Sequence, residues 1–100
     1  YLNRRCVELN LSENVIKICR ELCNYVENEE LLIKHIPLSR TAGCIYFVCC
    51  YLNININKND ITNICSISEV TINKCYNKLL KIKDEIVENT SLKDYCVNSV

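Results

Sequence analysis

The sequence predicts an all-α domain of five helices whose last two form a helix-turn-helix. Three observations carry this. Apolar residues recur at three- and four-residue spacing through most of the chain, the period of a helix with one buried face. One Gly and one Pro in 100 residues give too little punctuation for a many-turned β fold. Helix-start residues stand just ahead of the periodic stretches at Ser12, Pro37 and Ser68. The length fits one domain, and 49% hydrophobic residues supply a modest core.

Tyr1–Leu9 reads as a short amphipathic helix, with Leu2, Cys6 and Leu9 inward and Arg4, Arg5 and Glu8 outward. Ser12 caps the second helix, Glu13 sits in its first turn, and the helix runs to about Glu30. Val15, Ile18, Cys19, Leu22 and Val26 form its inner stripe. Glu27, Glu29 and Glu30 are a solvated acidic end with no partner base, nucleophile or pocket signal. Leu31–Ile36 is a connector in which His35 reads as a surface or capping residue.

Pro37 suits the first position of the third helix, where its missing N–H costs nothing. That helix runs to about Leu52. Beyond Arg40 it is apolar nearly all round, as a helix surrounded by others must be. Ala42, Gly43 and Cys44 are small enough to let neighbours approach, and Tyr46 is expected to bury its ring here. Asn53–Asn57 alternates like a strand but has no second strand to pair with, so it reads as a loop. Asn57 can cap a fourth helix, Lys58–Cys65. The fifth begins at Glu69 and can run past Lys81, where Asp84, Glu85 and Glu88 end the basic surface. Thr90–Val100 is expected to be a short helical turn or a loose tail.

The stretch from Asp60 to Leu80 organises the functional reading. Ile61 and Ile64 share one face of the fourth helix, and Ser66-Ile67-Ser68 breaks the pattern. Ser68 is a good N-cap, and Glu69 suits the positive end of the helix dipole. Ile72, Cys75, Tyr76 and Leu79 make the apolar stripe of the fifth helix. Thr71, Asn73, Lys74, Asn77 and Lys78 give it a polar, cationic, amide-rich opposite side. A helix inserted into a DNA groove needs such a face, although a solvated helix carries one too.

Pro37 to Leu79 resembles the second cyclin-like repeat of transcription factor IIB. The residues that carry the likeness are Pro37, the run Ser39-Arg40-Thr41-Ala42-Gly43-Cys44, Ile45-Tyr46, Asp60-Ile61, Val70-Thr71-Ile72, Tyr76 and Leu79. Tyr1–Leu11 and Val15–Leu32 fit the first two helices of the same repeat. The resemblance implies a cyclin-like five-helix domain over residues 1–88, with 89–100 as a C-terminal tail. It implies a nuclear, non-enzymatic initiation factor that binds the TATA-binding protein on promoter DNA and links it to RNA polymerase II. It places Val70 and Thr71 at the DNA-facing start of the recognition helix, with Asn73 where family members often carry Arg. Arg reads guanine, whereas Asn prefers adenine. Asn77 follows a turn later, and Lys74 and Lys78 would meet phosphates, which position without specifying.

The composition leaves other readings open. Net charge is zero, against the basic footprint of a free-standing nucleic-acid binder. That fits a module that reads DNA only when a partner holds it there. It also fits a cyclin-type interaction module without DNA contact, and the related RNA polymerase III factor shares the repeat. The longest apolar run, Ala42–Leu52, falls well short of the roughly 20 residues a bilayer span needs. The chain begins at Tyr1 without a Met and is expected to be a fragment of a longer protein. Nine cysteines cannot all pair, and none are spaced C-x-x-C. Cys19 and Cys23 could form only half a metal site. Cys44, Cys49, Cys65 and Cys75 read as small core hydrophobes in a reducing compartment. No Cys–His–carboxylate pattern marks a cysteine enzyme, and no cofactor, metal or small-molecule substrate is expected.

Overall fold

A computed structural model describes residues 2–94, and the side chains from residue 5 onward. The expected inward side chain of Leu2 and outward side chain of Arg4, and the last part of the tail, lie outside what is described. The helices are α1 (Leu2–Glu8), α2 (Glu13–Asn28), α3 (Pro37–Tyr51), α4 (Lys58–Cys65), α5 (Glu69–Leu80) and α6 (Lys83–Asn89). A 3₁₀ turn follows at Ser91–Asp94. Among the described residues there is no strand.

The start signals act as their chemistry requires. Ser12 Oγ accepts from Val15 N and Ser68 Oγ from Thr71 N, each at 3.3 Å. Pro37 opens α3. Asn57 occupies the N-cap of α4, but its side chain makes no capping hydrogen bond.

The stops work without glycine. Asn10, Glu30 and Asn53 take left-handed φ values of 60°, 56° and 62°. In each case the following residue reaches back to the helix: Leu11 N to Cys6 O at 3.1 Å, Leu31 N to Val26 O at 2.9 Å, Ile54 N to Cys49 O at 2.8 Å. The left-handed residue itself bonds the next carbonyl along, at Val7, Glu27 and Cys50. This is the Schellman arrangement three times over, with an apolar residue after each stop packed against the core. Ser66, φ 56°, ends α4 in the same region of backbone space and precedes the buried Ile67.

α3 is the hub. Ser39, Thr41–Ile45 and Phe47–Cys49 are buried, and α2, α4 and α5 all pack on it. A Cβ built on Gly43 would lie 2.5 Å from Cys75 Cβ, so α3 and α5 meet backbone to backbone there. The small-residue run permits that approach. Cys44, Cys49, Cys65 and Cys75 are fully buried, as are Cys6 and Cys19. Cys50 is exposed.

Two expectations need correction. The central buried ring is Phe47, 2% exposed, whereas Tyr46 is half-buried and meets Tyr76 edge-on with centroids 4.8 Å apart. One residue along a helix is about 100° of rotation, which turns Tyr46 toward the rim. Among the described residues the α-helices number six, not five, because α5 stops at Leu80. Lys81 and Ile82 close it by bonds to Asn77 and Leu79, and Ile82 breaks the path at φ −119°. The break folds Ile86 and Leu92 inward, both fully buried. Glu21 on α2 then holds the 3₁₀ turn, accepting from Ser91 N at 2.8 Å and from Ser91 Oγ at 2.9 Å.

Candidate nucleic-acid interface

α4, the Ser66-Ile67-Ser68 turn and α5 form the helix-turn-helix. Ile61 and Cys65 on α4 face the core, Ile64 is half-buried, and Ile67 plugs the turn. Ile72, Cys75 and Leu79 fix the inner side of α5, with Tyr76 half-buried beside them. At about 100° per residue this leaves Val70, Lys74, Asn77 and Lys81 as the outermost ridge, all exposed. Val70 is 63% exposed. Lys81 was not among the residues singled out from sequence, yet the helical period alone places it in line.

The remaining sequence-derived candidates lie on the two flanks of this ridge. Thr71 is half-buried, and its Oγ1 accepts from Ser68 Oγ at 3.0 Å, so it completes the cap. Asn73, also half-buried, is engaged by α4: Lys58 Nζ donates to Asn73 Oδ1 at 2.6 Å. The same ammonium lies 3.8 Å from Glu69 Oε2 and 5.1 Å from the Tyr46 ring centroid. Lys58 thus joins α4, α5 and α3 at one point, and it takes up the amide oxygen with which Asn73 would read a base.

Lys78 lies on the opposite flank, its Nζ 3.3 Å from His35 Nε2. The connector residue is more than a surface histidine. Its backbone carbonyl accepts from Arg40 Nη1 at 2.7 Å, which pins the connector to α3. Burial, then the charges of Lys78, Lys74 and Arg40, hold the imidazole below its ordinary pKa. His35 and Arg40 therefore belong to the same cationic surface as Lys74 and Lys78. Sequence spacing had no means of finding them, because 43 residues separate His35 from Lys78.

Nothing in this surface resembles a catalytic constellation. Burial pushes the Cys75 thiol beneath it upward, only partly opposed by Lys78 and Arg40. Among the described residues no three His, Cys, Asp or Glu side chains converge as a metal ion would require. Likewise no described helix is long and apolar enough to cross a membrane. Side chains on both flanks of this face are engaged, Asn73 by Lys58 and Lys78 by His35.

Residues 1–82 match the family described as the transcription factor TFIIB repeat. The chain is 28% identical over 100 residues to a transcription initiation factor IIB-like protein of Acanthamoeba polyphaga mimivirus, covering 100% of this chain and 22% of the relative. It is 26% identical over 80 residues to transcription initiation factor IIB 4 of Halobacterium salinarum, covering 80% of this chain and 24% of that relative. The chain thus spans less than a quarter of the length of these relatives. No solved structure matches it.

Proposed function

We propose that this chain, which belongs to the transcription factor TFIIB repeat family and has its cyclin-like all-α fold, is the DNA-contacting repeat of a transcription-initiation factor. It would engage promoter DNA held by the TATA-binding protein, place α5 in the adjacent major groove, and help bring RNA polymerase II to that site in the nucleus. The repeat would be residues 1–88, with 89–100 as a tail whose first turn packs back on α2. No catalytic step is assigned to it.

The observation that carries this reading is the exposed ridge of Val70, Lys74, Asn77 and Lys81 on the second helix of a helix-turn-helix. Val70 offers an apolar contact to a base edge, such as a thymine methyl. The lysines offer charge to phosphates. Balanced overall charge leaves few counterions to release, so affinity for naked duplex should be weak. A partner already on the DNA would supply the rest.

Fluorescence anisotropy on a labelled TATA-containing duplex tests this. The protein should bind weakly alone and much more tightly once the TATA-binding protein is present. Lys74→Glu should weaken the ternary complex and reduce its salt dependence. A ternary complex that never forms, or one indifferent to Lys74→Glu and to salt, would hand first place to a protein-interaction role without DNA contact, which the zero net charge favours.

A further inference from the structure

His35 is the only histidine in the chain. It sits where the α2–α3 connector, the start of α3 and the last turn of α5 converge. Lys78 Nζ is 3.3 Å from its Nε2. An ammonium can only donate, so Nε2 accepts, the imidazole is neutral, and its proton is on Nδ1. Arg40 holds the connector by its carbonyl. Lys74 lies one turn before Lys78, and Lys34 precedes His35 in the chain and is exposed.

The acidic side is sparse. Among the described residues no carboxylate lies within ion-pair distance of Arg40, Lys74 or Lys78. Glu27, at the end of α2, shares a groove with Arg40 without pairing to it. Cys75 lies below, its thiol kept protonated by burial. The cations therefore face one another with no anion between them. Lowering of the His35 pKa has its cause in burial and in these same cations.

We propose that His35, Arg40, Lys74 and Lys78 form a seat for a phosphodiester oxygen, and that His35 takes up a proton as the phosphate enters. The proton comes from solvent and goes to Nε2, which changes from acceptor to donor. The phosphate oxygen then accepts from both His35 Nε2–H and Lys78 Nζ, and its negative charge offsets the repulsion that protonation creates between two cations that lay 3.3 Å apart. This rests on the DNA-contact reading above and adds proton-linked binding to it.

Linkage fixes the sign. The free protein holds the ring below its ordinary pKa, and a bound phosphate raises it. Affinity therefore rises as pH falls through the bound-state pKa and levels off below the free-state pKa. Each unit between the two gives about tenfold in affinity.

The first experiment measures ternary-complex affinity with the TATA-binding protein from pH 8 to pH 6, for the wild type, His35→Gln and His35→Arg. The wild type should tighten more steeply on acidification than His35→Gln. His35→Arg should be tight at pH 8 and flat. Equal slopes in the wild type and His35→Gln would overturn the seat while leaving the DNA reading intact. The second follows the single imidazole ring by proton NMR at pH 7, with inorganic pyrophosphate and separately with duplex DNA. Movement toward the imidazolium position with pyrophosphate supports the seat even where no ternary complex forms, in which case the DNA reading fails alone. A response to pyrophosphate but not to duplex makes this a free-phosphate site. A ring unmoved by either overturns the proposal.

Discussion

Lys58 Nζ donates to Asn73 Oδ1 across 2.6 Å, joining the first turn of one helix of the helix-turn-helix to the second turn of the other. The same ammonium faces Glu69 and the Tyr46 ring. The relative placement of α4 and α5 is therefore fixed by more than the apolar contacts of Ile61, Ile67 and Ile72. A Lys-to-Asn bond between half-exposed groups is individually modest, but its partners are arranged around one atom.

Lys58→Met keeps the aliphatic stem and removes the charge. We expect it to cost about 1 kcal/mol. Together with Asn73→Ala it should give a coupling energy of about 0.5–1.5 kcal/mol in a double-mutant cycle read from denaturant midpoints. Strict additivity of the two changes would mean the bond contributes nothing in solution.

Gly43 and Cys75 supply a sharper case. The Cβ that Gly43→Ala adds would sit 2.5 Å from Cys75 Cβ. Helix propensity alone favours Ala by roughly 1 kcal/mol. The clash should reverse that and leave a net loss of about 1–3 kcal/mol. Cys75→Ala should not rescue the variant, because it keeps the offending Cβ. Cys75→Gly should relieve part of the loss. A Gly43→Ala protein with a raised melting temperature would show that α3 and α5 are further apart.

Glu30 takes φ 56° with a full side chain. Left-handed backbone costs an L-residue about 1–2 kcal/mol, less for Asn. Glu30→Gly should therefore raise stability by about 1 kcal/mol, and Asn53→Gly by only a few tenths. Equal effects at the two positions would contradict the assignment of both as left-handed stops.

The cysteines separate by exposure. Cys50 is exposed and Cys23 half-buried, while the other six described cysteines are buried. Burial pushes Cys49 up to about 12, and Cys44 too lies well above its ordinary value. For Cys44 the larger cause is a hydrogen bond with Cys23. A thiol reagent applied to native protein should label Cys50 first and Cys23 later. Cys49 and Cys44 should react about a hundredfold or more slowly until denaturant is added. Peptide mapping by mass spectrometry gives the order, and rapid native labelling of Cys44 would argue against its place in the core.

Which features were legible in the sequence follows from the range of the interactions. Ser12, Pro37 and Ser68 act within three or four residues, so their roles could be read directly. The all-round apolarity of α3 announced a hub for the same reason. Stops at Asn10, Glu30 and Asn53 were harder, since a left-handed residue other than Gly is chosen by the apolar contact of its successor with the core. The Phe47–Tyr46 exchange and the break at Ile82 depended on where neighbouring helices lie. At the candidate interface, the α5 period put Thr71, Asn73, Lys74, Asn77 and Lys78 opposite the apolar stripe, and of these Lys74 and Asn77 stand with Val70 on the outermost ridge. Lys58 on Asn73 and His35 beside Lys78 are contacts across 15 and 43 residues, which no local pattern encodes.

Those two contacts also set what α5 should do on DNA. Asn73 is tied to Lys58, so an arginine placed there meets an ammonium where the amide oxygen was. Asn73→Arg should therefore turn its guanidinium outward, toward the Val70 side of the ridge. In that position it can address guanine O6 and N7 together, adding about 1–3 kcal/mol of preference at one position of the flank beside TATA. Lys58→Met should strengthen that preference by removing the competing charge. Lys78→Glu acts differently, because it places a carboxylate beside His35 and removes a phosphate partner. It should weaken all flanking sequences alike and reduce the salt slope by about one. Selection from a randomised flank, with the TATA-binding protein present, measures both. If Asn73→Arg left base preferences flat while Lys78→Glu changed neither affinity nor salt slope, α5 would not be the helix in the groove, and the ordered cationic face would have to serve a protein partner instead.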